Sequence, residues 1–423
     1  MRTKAPAALA VALLLATTAA CSTDEPAAAP AAPVEPTAST TTKGLVSTEV
    51  KGSDGHTVKA PPGWTVSVWA KIPGARLMAW TPDDRLLVSR PESGDVLILD
   101  QDGRPQTLVG SLNQPHGLAF DGDTLYVAES DQVDSFRYAG GKATAKTVVI
   151  DDLPDAKSLE LGGKYAHALK SVAVGADKSL YVSIGSTGNI SAEDREAKPE
   201  RAAILRKPPT GNVQTFARGV RNGTGLAIDP DGGVWTAVNN RDNTANPENG
   251  DVEESYVNDH PLEPLALLTE GRDLGWPYCN PDPDLDAGAR AYTARPFIRD
   301  VQTNRDGRNL DCSKLKPSEQ GMGAHSAPLG LSFAADVPGG YGPGALVGVH
   351  GSWNRNPPRP PEVSFFAWRD GTLGPQQTLL TGFQREDGSR WGRPVMAVMG
   401  PDGSLYVSDD FAGVVYRVTV SSS

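Results

Sequence analysis

The sequence predicts an all-β fold, a six-bladed β-propeller over roughly 60–420, from three observations. A short apolar strand, a tight turn carrying Asp or Gly, and a second apolar strand rich in Leu, Tyr and Val recur six times. Copies ending at Val88, Val127, Val182 and Thr236 are spaced 39, 55 and 54 residues apart, and Gly348 and Val407 are 59 apart. Such periods hold four strands each, the mark of propeller blades. The composition agrees: 45 Gly and 35 Pro among 423 residues are rich in turns without a collagen-like repeat, which suits a long all-β domain better than a helix bundle. Seven or eight blades is the competing count.

The chain opens on an export signal. Residues 1–21 carry Arg2 and Lys4, an apolar stretch from Ala7 to Ala16, and small residues before Cys21, too short to span as a mature transmembrane helix. Thr18-Ala19-Ala20-Cys21 resembles a bacterial lipobox, with Thr18 where Leu is usual, and Cys21 would then be lipidated. The same residues suit ordinary signal peptidase, which leaves a secreted protein as the alternative. Residues 22–59 are expected to be a disordered tether. Over 22–43 they are mostly Ala, Pro, Thr, Ser and Glu, with no aromatic, Leu or Ile, and cannot bury a core. A tether directly after Cys21 fits an exported protein held to the membrane through a lipid anchor alone. No run of 18 apolar residues follows residue 60.

The six copies then follow in order. Ala79–Val88 turns at Asp83-Asp84, and Gly117–Val127 at Asp121-Gly122. Val172–Val174 leads through Asp177 to Leu180–Val182, and Leu226–Ile228 through Asp229-Pro230-Asp231-Gly232 to Val234–Thr236. Leu331–Phe333 reaches Ala345–Val347 by a longer turn, and Ala397–Met399 reaches Leu405–Val407 through Pro401-Asp402-Gly403. Asp-Gly between β-rich runs is a strong hairpin signal, because both residues tolerate the positive φ that the turn demands. The interval between copies four and five is about twice the others. It holds Asn240 to His325, charged and Pro-rich, with Cys279 and Cys312. This is one blade's outer strands plus a surface insertion in the blade 4/5 region, stapled by a Cys279–Cys312 bridge. Three cysteines in all are too few for a disulfide scaffold and lack the paired spacing of a structural zinc site. With 40 Lys+Arg against 51 Asp+Glu and a net charge of −11, the chain is no nucleic-acid binder by bulk electrostatics.

In a propeller the first strand of each blade lines the central channel, so residues just before it stand at the channel mouth. His116 stands two before Leu118, and His167 and Lys170 stand five and two before Val172. Arg221 stands five before Leu226, His325 six before Leu331, and Arg393 three before Met396. His350 follows the second strand of copy five. Four of six histidines and three cations thus fall at equivalent places in different blades. Imidazoles and guanidinium groups converging over an apolar channel make a site for an anionic, planar ligand.

A set of motifs carries a family resemblance. Ala217–Asn222 before Gly225-Leu226-Ala227, then Gly275-Trp276-Pro277-Tyr278, His325–Leu331, His350-Gly351-Ser352-Trp353-Asn354-Arg355 and Gly392-Arg393-Pro394-Val395 together resemble the glucose/sorbosone dehydrogenase family. Members of that family are six-bladed propellers that use pyrroloquinoline quinone (PQQ) and calcium. The resemblance covers 60–420 and implies an enzyme oxidising a small-molecule sugar. His167 matches the general base, Arg221 and Asn222 the pair contacting the cofactor, and Arg393 an arginine at its carboxylates. Lys170 stands where members often have Arg, and Trp353, Asn354 and Arg355 fall on the loop that usually reaches the quinone. Calcium would sit at about Asn240-Arg241-Asp242, partly on backbone carbonyls. The electron acceptor is not specified. Imidazole suits the base because its pKa lies near neutrality.

One departure stands out. Where sugar-oxidising members often carry an Asp to orient the catalytic histidine, this chain has Ser186, which can hold a tautomer but not balance an imidazolium. Turnover is then slow, or another carboxylate such as Asp194 takes the role. Two other readings compete: a cofactor-free surface propeller binding a glycan or protein, and a calcium-dependent lactone hydrolase. The latter needs carboxylates ringing a metal in the channel, where this chain places His, Arg and Lys.

Overall fold

The computed structural model describes residues 44–163, 165–282 and 296–420. The expected export signal, Cys21 and the 22–43 part of the expected tether lie outside the described residues.

Six antiparallel blades form because six runs alternate apolar and polar residues about tight Asp or Gly turns. The first strands are Met78–Trp80, Gly117–Asp121, Val172–Val174, Gly225–Ile228, Pro328–Val337 and Pro394–Met399. Each pairs with the second strand that the sequence repeat predicts, as in Val172↔Val182 and Leu226↔Thr236. These first strands touch one another in a closed ring, which brings their starting residues to one end of the channel. Close approach is built into the sequence. A Cβ on Gly117 would lie 2.6 Å from the Val172 nitrogen of the next blade. Between blades, side chains from facing sheets pack into shared cores, as Leu87 and Val96 of blade one do with Leu125, Val127 and Phe136 of blade two.

Blade six closes the ring by joining the first and the last described strands in one sheet. Trp64–Lys71 is its outer strand, antiparallel to Val414–Val420 with Val66 opposite Val418. The expected tether is shorter than the sequence reading put it. Val46–Lys51 pairs in parallel with Trp64–Lys71, and Thr57–Ala60 pairs back onto it. Residues 46–59 therefore belong to the fold: Val50 and Val58 are buried, and two apolar residues at the right register suffice to dock an otherwise polar stretch.

The insertion lies inside blade four, between its third strand Leu262–Leu268 and its fourth strand Gln320–Ala324. Arg272–Asp273 extends blade three by pairing in parallel beside Gln214–Arg218. The hairpin Cys279–Pro281 with Phe297–Arg299 is bridged by Cys279–Cys312, at a Cα separation of 5.7 Å. Two buried ion pairs fasten the insertion, Arg241 to Asp300 and Arg272 to Glu319.

Candidate active site at the channel mouth

His167 lies on the segment that leads from blade two into the first strand of blade three. The Ala166 N–H donates to the Thr187 carbonyl at 3.0 Å, and the Tyr165 hydroxyl donates to the Gly185 carbonyl at 2.8 Å. Gly185 has to lack a side chain, since a Cβ there would lie 2.5 Å from His167. His167 Nδ1 is 2.9 Å from Ser186 Oγ and 3.0 Å from the Ser186 carbonyl. The serine hydroxyl donates to the Gly188 carbonyl at 2.7 Å, so both oxygens facing Nδ1 act as acceptors and Nδ1 carries the proton. Nε2 is left with a lone pair and no partner among the described residues. Burial, and then the charge of Arg221, push the imidazole pKa down to about 3, so the ring is neutral across the physiological range.

Asp194 does not reach His167. It is buried and accepts from Thr187 N at 2.9 Å, Thr187 Oγ1 at 3.0 Å and Arg201 Nε at 2.6 Å. It supports the histidine at one remove, through the residue whose carbonyl receives the Ala166 N–H.

Blade four supplies the neighbouring wall. Arg221 donates to the Asn239 carbonyl and to Asn189 Oδ1, both at 3.2 Å, and lies 3.6 Å from Asp242. Its Nε is buried without a partner, and the side-chain amide of the neighbouring buried Asn222 bonds to none of the described residues. Burial draws the Arg221 pKa down to about 10. Asn189 stitches this wall together, donating to the Asp242 carbonyl and accepting from the Asp242 N–H, both at 2.8 Å. Asp242 Oδ1 lies 3.5 Å from His325 Nδ1, while His325 Nε2 faces the carbonyls of Val257 at 2.7 Å and His260 at 3.1 Å. Acceptors thus face both ring nitrogens, an arrangement that favours the imidazolium. Burial opposes its charge, yet Asp242 and Glu263 hold its pKa above the ordinary value.

Across the channel, Asp410 bridges blades. Its carboxylate lies 2.8 Å from His350 Nε2 and 2.6 Å from the Arg76 guanidinium. Arg393 donates Nε to the His350 carbonyl at 2.9 Å, and its two terminal nitrogens have no partner among the described residues. His116 is fully buried, with Nδ1 3.2 Å from the Lys170 carbonyl and Nε2 unpartnered. Burial and then Arg76 push its pKa to about 3.

Two groups of these side chains result: Arg221, Asn222, Asp242 and His325 on the side of His167, and His350, Arg393 and Arg76 around Asp410, while His116 is buried beside Lys170. Other expected site residues sit differently. Lys170 is 0% exposed with its ammonium on two carbonyls, turned inward because the backbone there offers acceptors that a ligand would otherwise supply. The Arg241 guanidinium is buried against Asp300 and Gln302, and the Asn240 amide bonds the Leu262 carbonyl, so neither side chain is a metal ligand. Their backbone carbonyls, however, accept no hydrogen bond among the described residues. No group of three or more His, Cys, Asp or Glu able to hold a metal occurs among the described residues. Asn354 exchanges amide hydrogen bonds with Asn243, beside Asp242, at 3.1 and 2.9 Å. Trp353 is 71% exposed and Arg355 lies 3.9 Å from Asp259. Sequence reasoning missed Arg76, Asn189 and Asp410. Arg76 stands two before the first strand of blade one, within the range that singled out the other entry residues, and could have been found by that rule.

The family described as TrAA12-like matches residues 58–421. The "Pyrroloquinoline quinone-dependent pyranose dehydrogenase" of Coprinopsis cinerea is 26% identical over 277 residues, 56% of this chain and 37% of that protein, so the similar part is little more than a third of that relative. The solved holo form of the pyranose dehydrogenase PQQ domain from Coprinopsis cinerea superposes with a TM-score of 0.70 at 20% identity, over 86% of this chain and 97% of that one. An iodide structure of the Trichoderma reesei carbohydrate-active enzyme of family AA12 gives 0.67 at 20% identity, over 90% and 98%. At that identity the structural likeness speaks for the six-bladed fold alone.

Proposed function

The chain belongs to the TrAA12-like family, and from that premise we propose that it is a PQQ-dependent dehydrogenase oxidising a hydroxyl of a small sugar. The observation that carries the reading is the neutral His167, its Nε2 lone pair free at a mouth lined by cations whose donors are incompletely used.

Those donors fit an anionic quinone. The buried Nε of Arg221, the unengaged amide of Asn222 and the two free terminal nitrogens of Arg393 stand on two walls of the mouth, and carboxylates would satisfy them. The cofactor, when bound, supplies the two-electron acceptor that takes hydride from the sugar carbon. Calcium would rest on the free carbonyls of Asn240 and Arg241 with the Asp242 carboxylate, oxygen donors of the type it takes, and would polarise a quinone oxygen as a Lewis acid.

The protein's own part is proton chemistry. His167 Nε2 accepts the proton of the sugar hydroxyl as the carbon loses hydride. Ser186 fixes the tautomer that makes this geometry available and holds Nδ1–H on two oxygens, so the ring need not turn. Arg221 disfavours the imidazolium, and an anion bound beside it would relieve that penalty, tying a competent base to an occupied site. The named activity of the Coprinopsis relative supports the sugar as substrate. The signal-like residues 1–21 and Cys21 support export, with the chain held at the membrane by a lipid and its electrons passing to an acceptor there. Titrating the full chain with PQQ in calcium buffer, then following dye reduction over a panel of aldoses, tests the reading. Saturable binding with aldose-dependent turnover is the expected result.

A further inference from the structure

The sequence grouped Lys170 with the cofactor-binding cations, but the structure gives its ammonium a different task. We propose that Lys170 is a positioning residue for His167: it clamps the base-carrying segment 154–168 to the propeller and contacts neither cofactor nor substrate. This rests on the function proposed above.

The geometry is specific. Nζ donates to the Pro154 carbonyl at 2.8 Å and to the Ala168 carbonyl at 2.5 Å, so one side chain ties together the two ends of the segment. Ala168 is the neighbour of His167. The ammonium also stands 4.7 Å from the Tyr165 ring centroid, a cation–π contact, and the Tyr165 hydroxyl is bonded to Gly185. The main chain of Lys170 is fixed as firmly, since its carbonyl accepts from the Gly117 N–H at 2.9 Å and faces His116 Nδ1. Both ends of the residue are thereby tied to the channel wall.

The segment needs such a clamp. Leu159 is 98% exposed, and the bonds of residues 155–162 are short-range, those of Asp155 with Lys157 and Ser158 and of the single turn at Leu159–Leu161, apart from the contacts of Asp155 and Lys157 with Asn113. Closing a loop at its base removes most of the freedom that its tip would pass to His167. A base displaced by about 1 Å loses on the order of 100-fold in rate. Burial pulls the Lys170 pKa down to about 7, against the carboxylates of Asp155 and Asp131, which favour the charged form; with two carbonyls and a ring face around the nitrogen no donor is left over for a ligand.

The test separates a clamp from a ligand. Full-length Lys170→Met is titrated with PQQ, assayed for kcat at saturating cofactor, and followed by hydrogen exchange of residues 154–168 without cofactor. The clamp predicts PQQ affinity within about 2-fold of wild type, kcat lower by about 10- to 100-fold, and faster exchange confined to that segment. Lys170→Arg, able to reach both carbonyls, recovers most of the turnover. Lost PQQ affinity with unchanged exchange and unchanged kcat at saturation would overturn the proposal. If Lys170→Met does not accumulate, Lys170→Gln, which keeps a donor for one carbonyl, reads the same split. Should wild type bind no PQQ, the functional reading falls, while the exchange measurement on the cofactor-free protein still decides the clamp.

Discussion

Replacing Ser186 by Asp places a carboxylate where a neutral hydroxyl now meets the base. Ser186 Oγ is 2.9 Å from His167 Nδ1. A carboxylate about 4 Å from the ring centre, at an effective dielectric of about 20, gains about 4 kcal/mol with an imidazolium, or roughly 3 pKa units. Burying the new charge at a fully buried position takes back part of that, leaving a net rise of about 1–2 units. The His167 pKa, now about 3, would move to roughly 4–5. The sign is clear: the base works above its pKa, so the acid limb of the rate profile shifts to higher pH, while at neutral pH the stronger base raises kcat by about 10-fold. Lost with the hydroxyl is its bond to Gly188, about 1 kcal/mol of stability. The assay is kcat/KM against pH for wild type and Ser186→Asp with one aldose. An acid limb that stays put, or a loss as deep as that of His167→Ala at every pH, would refute the assignment of base and partner.

Three stability predictions follow. The folded pKa of His116, about 3, lies below the ordinary imidazole value of 6.5, so the unfolded chain takes up a proton first; stability present above pH 6.5 is lost as pH falls toward about 3, at about 1.4 kcal/mol per pH unit. Denaturant unfolding at about pH 7 and 5 should show a slope shallower by about 2 kcal/mol in His116→Gln; equal slopes would contradict it. Arg241→Met removes the charge partner of the buried Asp300 carboxylate, leaving it the Asn280 amide and the Gln302 and Thr303 N–H groups, and should cost about 3–5 kcal/mol, seen as a lower Tm. Replacing both Cys279 and Cys312 by Ser frees a loop with a sequence separation of 33 and should cost about 3–4 kcal/mol by chain entropy, with the earliest loss of protection in the insertion.

The propeller was legible because its signal is local and repeated. Each first hairpin, from Ala79–Val88 to Ala397–Val407, carries its own turn residues and apolar runs, and six weak signals at blade-sized intervals reinforce one another. The extra pairing of Val46–Lys51 was not legible, since its partner Trp64–Lys71 shows no complementary pattern and its composition reads as linker. At the site, the rule that residues before first strands meet at the mouth found His167, Arg221 and Arg393. It could not give side-chain direction: Lys170 obeys the same spacing and turns inward, because carbonyls of Pro154 and Ala168 come from a loop whose path no periodicity encodes. Asp410 and Asn189 act through partners far away in sequence, Arg76 and Asp242, and only the folded ring brings them together.

If the cationic mouth holds the quinone and His167 takes the proton, PQQ titration of the full chain with calcium will separate the two roles, reading bound-quinone absorbance and aldose-dependent dye reduction with Arg221→Ala and His167→Ala alongside. Binding should be saturable and lost in Arg221→Ala, and turnover should be lost in His167→Ala while that variant still binds the cofactor. No binding at micromolar PQQ, or full turnover in His167→Ala, would contradict that assignment.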